Sequence, residues 1–119
     1  MQLTKEKIVF RQPDDWHLHL RDGDILNAVV SPTAKVFRRA VVMPNLQPPI
    51  TSIREAIEYR QRIINAVPEG LLFTPLMTVY LTDDLCSEVL RTGLKKELYL
   101  LQSCTQLIRL LILPQECLT

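Results

Sequence analysis

RAVVMP, residues 39–44, sets four consecutive apolar side chains (Ala40, Val41, Val42, Met43) between an arginine and a proline. So short and continuous an apolar run reads as a strand covered on both faces, the way strands of parallel sheets sit. Its flanks read as helices. Upstream, over residues 25–37, Ile25, Ala28, Val29, Val36 and Phe37 suggest a helix, and Ser31-Pro32 is expected to break it, because proline has no N–H to donate. Downstream, Ser52 and Glu55 have the spacing of a capping box. Ile53, Ala56, Ile57, Ile63, Ile64 and Val67 then mark one stripe of a helix that Pro68 and Gly70 close.

Beyond each helix lies a second kind of pattern. Residues 15–21 alternate strictly, with Trp16, Leu18 and Leu20 on one side and Asp15, His17, His19 and Arg21 on the other. Residues 72–81 form a third strand, in which Thr74, Leu76, Thr78 and Tyr80 oppose Phe73, Pro75, Met77, Val79 and Leu81. Asp83 then caps a helix through Leu90 that Gly93 ends. Strand and helix alternating three times predict an α/β fold with a parallel sheet and crossover helices. Three units cannot close an eight-stranded barrel of about 250 residues, so the segment reads as the first part of a larger α/β domain.

Composition narrows the function classes. With 47% hydrophobic and 23% charged residues in 119, the chain is neither a disordered tail nor a collagen. Fourteen basic against 13 acidic side chains provide no field for gripping nucleic acid or an anionic membrane. Cys86, Cys104 and Cys117 are odd in number and lack paired spacing, which argues for a reducing compartment. The opening MQLTKEKIVF lacks a signal-peptide pattern, so the cytoplasm is the expected location. Composition changes near residue 94. Residues 94–119 hold nine leucines in 26 positions and no Ala, Gly, Val or Asp. The apolar part of this tail, residues 98–113, is interrupted by Gln102, Ser103, Thr105, Gln106 and Arg109, and is shorter than the roughly 20 residues of a membrane helix.

The chemistry gathers at His17-Leu18-His19. Histidines two apart on a strand point the same way, so both imidazoles reach one cation from one rigid element, and neutral imidazole suits zinc. Two hydrogen-bonded histidines on a solvated strand face are the alternative. Two ligands do not complete a zinc site, which takes about four positions, three of them from protein in catalytic sites. Arg21 continues the same face and offers a planar fork for a carboxylate, or else forms a surface salt bridge. Asn45 follows the second strand, at the end where βα loops carry active sites. It is either a donor and acceptor for a small polar substrate or a turn residue before Leu46-Gln47-Pro48-Pro49. Asp14 and Asp15 face opposite ways and read as loop and supporting residues.

Three blocks, RQPDDWHLHLRDG (residues 11–23), VMPNLQPP (42–49) and FTPLMTVYLTD (73–83), resemble successive blocks of bacterial dihydroorotase, in the amidohydrolase superfamily. The similarity covers about residues 8–93. It implies that residues 1–93 are the first βα units of a TIM-type (β/α)8 barrel, truncated here. The implied enzyme is a hydrolase with a two-zinc centre that interconverts dihydroorotate and N-carbamoyl-L-aspartate in pyrimidine synthesis. By position, His17 and His19 match first-strand metal ligands, while Arg21 and Asn45 match the residues that hold the substrate carboxylate. In the family a metal-held hydroxide attacks the ring amide, and an aspartate late in the barrel shuttles the proton. No residue of this chain matches that aspartate. The zinc site is therefore incomplete and the chain is expected to be inactive as it stands. The expected partner is a small-molecule substrate, with neither nucleic acid nor membrane, and the complete family protein leaves room for a homodimer.

The tail departs from that pattern in a readable way. Where the family carries Lys-Leu-Tyr-Pro-Ala-Asn, whose lysine bridges the metals, this chain has Gln102-Ser103-Cys104-Thr105-Gln106-Leu107-Ile108. Writing these as CAA, AGT, TGT, ACC, CAG, CTA and AT-something, the straddling triplets AAG, TTG, TAC, CCA, GCT and AAT spell Lys-Leu-Tyr-Pro-Ala-Asn. Residues 94–119 thus resemble an out-of-frame reading of dihydroorotase DNA. The alternatives are a leucine-rich amphipathic helix and, for the chain as a whole, a non-catalytic metal-binding or subunit-interaction protein.

Overall fold

A computed structural model describes residues 7–80 together with Thr82 and Arg91. The expected helix over residues 83–90, the tail, and Cys86, Cys104 and Cys117 lie outside the described residues. The elements run β1 (Asp14–Leu18), α1 (Gly23–Val36), β2 (Arg39–Val42), α2 (Ile53–Ala66) and β3 (Thr74–Met77). All pairings are parallel and the strand order is β1-β2-β3. In β2 and β3 the register is regular, from Arg39 beside Thr74 to Val42 beside Met77. Between β1 and β2 it slips between Asp15 and Leu18. The parallel α/β expectation therefore holds, with two helices and three strands among the described residues.

β2 is central and covered on both faces, as its apolar run requires. Ala40, Val41, Val42 and Met43 are all buried. Alternation divides the sheet's side chains into two sets. Val42 joins Leu20, Leu26, Val30, Tyr59, Ile63, Met77 and Val79 in the core beneath the helices, while Val41, Met43 and Leu76 form a smaller cluster of their own. Leu18 packs against the helix-side core. Its neighbour His17 is exposed.

Helix α2 begins as its sequence dictates. The Ser52 side chain accepts from the Glu55 N–H, and Glu55 Oε2 accepts from the backbone N–H groups of Thr51 and Ser52, both at 3.0 Å. Those donors, the Thr51 N–H foremost, hold the Glu55 carboxyl below the usual glutamate range. The box is thus fully formed at neutral pH and is lost as pH falls through that lowered value.

Three expectations need correction. Helix α1 runs unbroken through Pro32 from an Asp22 N-cap. Leu26, Val30 and Ala34 recur at four-residue spacing and are all buried, so packing holds a helix that loses only one backbone donor at the proline. The Thr33 hydroxyl donates to the Val29 carbonyl at 2.8 Å in the same turn. β1 ends at Leu18, short of His19 and Arg21, and Trp16 is 59% exposed rather than packed beside Leu18 and Leu20. As the first residue inside the register slip of an edge strand, it lies outside the core, with the Arg39 guanidinium 5.6 Å from its ring. β3 occupies only Thr74–Met77 of the expected 72–81. Beyond it the Tyr80 N–H turns to the Ile50 carbonyl at 2.7 Å, and the buried Thr78 hydroxyl donates to the Val42 carbonyl. Residues 75–79 are buried consecutively, so the alternation read in the sequence does not separate a wet from a dry face.

Candidate functional site at the strand ends

His17 lies near the end of β1 and His19 just beyond it, both exposed. The Asp15 carboxylate accepts from the His17 N–H at 3.0 Å, a local turn that coincides with the register slip. The two rings meet edge to face, with centroids 5.1 Å apart and Nε2 atoms 3.1 Å apart. Two nitrogens bound to one tetrahedral zinc at about 2.0–2.1 Å would lie about 3.3–3.4 Å apart. In chemistry and spacing the pair fits two neighbouring positions of such an ion. Among the described residues no group of three or more His, Cys, Asp or Glu side chains is placed to hold a metal. The fit is therefore to half a donor set.

Asn45 sits past the end of β2 in the segment 43–52, which also contains a cis Gln47–Pro48 peptide. Its Oδ1 lies 2.9 Å from Nδ1 of His19, across 26 positions of sequence. The sequence leaves Asn45 as either a substrate contact or a turn residue and gives no sign of this contact with His19.

Arg21 follows Leu20 with a backbone φ of +59°, in the left-handed region that side chains other than glycine rarely enter. Two contacts hold it there. The fully buried Tyr59 of α2 donates its hydroxyl to the Arg21 carbonyl. Next door, Asp22 caps α1 and receives a two-pronged bridge from Arg62, at 3.0 and 2.8 Å, while the Arg62 guanidinium lies 5.3 Å from the Tyr59 ring. Burial, with the Asp22 charge adding to it, pushes the Tyr59 phenol well above its ordinary value, so it remains a donor at any physiological pH. Replacing Tyr59 by Phe leaves the Arg21 carbonyl unpaired. The expected cost is about 1–2 kcal/mol, read as a lower urea midpoint; an unchanged midpoint would contradict this role for the hydroxyl.

Arg21 and Asn45 both line a cleft of about 440 Å³ whose walls include Asp22, Pro48, Glu58 and Arg62. The histidine pair is not part of that wall. Charge accounting across the cleft singles out one group. Asp22 is paired with Arg62, Glu58 with Arg54 at 2.9 Å, and Glu55 with backbone N–H groups. The Arg21 guanidinium makes no hydrogen bond or ion pair among the described residues, so its fork is available to an anion. Asp14, by contrast, is engaged by Arg39 and supports the sheet rather than the cleft. Tyr59, Asp22 and Arg62 went unread as site residues in the sequence. Asp22 before Gly23 and a helical stripe was the only signal available, that of an N-cap.

No family model matches the chain. Among solved structures, it is similar to a dihydroorotase from Campylobacter jejuni, with a TM-score of 0.65 and 33% identity over 76% of this chain and 28% of that one. It is likewise similar to a dihydroorotase from Saccharomyces cerevisiae, solved in complex with 5-fluoroorotic acid, with a TM-score of 0.63 and 32% identity over 71% of this chain and 22% of that one. The chain thus spans about a quarter of the length of the structures it matches. Among the described residues no helix is long and apolar enough to cross a membrane.

Proposed function

We propose that this chain, similar in fold and sequence to a quarter of a dihydroorotase, carries the opening strands of a TIM-type barrel and, on their ends, one side of a cyclic-amide hydrolase site. The observation that supports this best is the convergence of His17 and His19, with Nε2 atoms 3.1 Å apart, on the same strand end as Arg21, whose guanidinium has no partner among the described residues. In this reading His17 and His19 hold zinc. Bound there, zinc would supply a Lewis acid and lower the pKa of its water. Arg21 grips the substrate carboxylate through two parallel hydrogen bonds, and the amide N–H groups of Asn45 add a donor to the same carboxylate. The substrate pair is dihydroorotate and N-carbamoyl-L-aspartate. The reading places the protein in pyrimidine synthesis in the cytoplasm.

On this reading residues 1–93 are barrel and residues 94–119 are an out-of-frame stretch. The 119-residue chain supplies two of the ligands and no proton-transfer carboxylate, so it does not turn over dihydroorotate even with zinc and bicarbonate present. The experiment is to read the encoding DNA between codons 93 and 119 and to express the frame that restores Lys-Leu-Tyr-Pro-Ala-Asn. An open frame long enough to finish a barrel, yielding an enzyme that hydrolyses dihydroorotate, is the expected result. Turnover by the 119-residue chain, or a restored barrel that is folded yet inactive, would overturn the reading.

A further inference from the structure

The contact between Asn45 and His19 has a chemical direction. A carboxamide oxygen has only lone pairs to offer, so an Oδ1 atom 2.9 Å from Nδ1 of His19 calls for a proton on Nδ1. A neutral imidazole carries one N–H. Its Nε2 is then the bare nitrogen, and that is the atom facing Nε2 of His17 at 3.1 Å. We infer that Asn45 is a positioning residue for His19: its oxygen selects the Nδ1–H tautomer and aims the Nε2 lone pair at the point His17 also addresses.

The geometry separates the two ends of the Asn45 amide. Oδ1 is occupied by His19, while Nδ2 makes no hydrogen bond among the described residues and keeps both N–H groups for a ligand in the adjoining cleft. One side chain thereby fixes the spacing between a cation held by the histidines and an anion held beside Arg21. A residue that orients a ligating histidine typically contributes about 10–100-fold to metal affinity. The consequence for cation binding rests on the metal reading given above, whereas the tautomer belongs to the metal-free chain and can be measured without it.

The test is a long-range proton–nitrogen correlation spectrum of the full chain, labelled with 15N-histidine, freed of metal by chelator and held at pH 8. The chain has two histidines, so His17→Ala assigns the signals. His19 is expected as the Nδ1–H tautomer, kept in Asn45→Asp and lost to the Nε2–H form in Asn45→Leu. Titration with Zn2+ alone should then show about 10–100-fold weaker binding for Asn45→Leu than for Asn45→Asp. An Nε2–H tautomer at His19 in the unmodified chain would overturn the inference, and so would an Asn45→Leu spectrum unchanged from it. The spectrum of the unmodified chain decides the tautomer even where a variant fails to fold. The expected tautomer without measurable Zn2+ binding would support the role of Asn45 and overturn the metal reading of the histidine pair.

Discussion

Arg21→Ala, made in a chain that carries the complete barrel, is expected to lower dihydroorotate turnover by about 10²–10⁴-fold. The guanidinium is the one cleft cation without a partner among the described residues, so its hydrogen-bonding capacity is directed outward. Two charge-assisted hydrogen bonds contribute about 1.5–3 kcal/mol each. At about 1.4 kcal/mol per tenfold, their joint loss gives that range. Arg21→Lys keeps the charge but not the planar fork and should fall between the two. Steady-state assays of both variants check this; Arg21→Ala within threefold of the parent would remove the carboxylate clamp from the proposal.

The second large effect concerns zinc and the chain as it stands. A closed four-ligand site yields about 10–16 kcal/mol of apparent binding. Two histidines on one strand end supply half the donors, and half that energy corresponds to a dissociation constant between about a micromolar and a few hundred micromolar. Isothermal titration should therefore find weak binding of Zn2+, and His17→Ala should abolish it, because the one side chain left is a monodentate donor that holds the ion no better than free imidazole. Tight uptake of two zinc ions would show that residues outside the described part complete the site. Unchanged binding in His17→Ala would show that the pair is not the site.

What was legible in the sequence is what short-range physics determines. The apolar run of residues 40–43, which opens in β2, identifies a doubly covered strand without reference to any other segment. Ser52 and Glu55 cap α2 through contacts three residues apart. His17 and His19 converge because they sit two apart at the end of one strand. The rest depends on contacts between distant positions. Pro32 is tolerated because Leu26, Val30 and Ala34 are buried, Leu26 and Val30 in a core shared with Val42, Tyr59 and Ile63 from later in the chain. The left-handed backbone at Arg21 is held by a hydroxyl 38 residues away, and the orientation of His19 by an amide 26 residues away. No local pattern encodes either. The exposure of Trp16 escaped for a related reason: strict alternation in sequence assumes an even ladder, and this ladder slips between Asp15 and Leu18.

The strand order also bears on how such a chain is born. In the sheet each strand lies beside the one that precedes it in sequence, so no pairing waits for a segment still to be synthesised. A ribosome delivering about 5–20 residues per second hands over β1, then β2 and then β3, and each arrival finds its neighbour already outside the exit tunnel. Among the described residues no strand pairs with the far edge of β3, which is in turn a template for a strand that emerges later. Vectorial growth of this kind lets a three-stranded parallel layer take shape before any later segment has to join it.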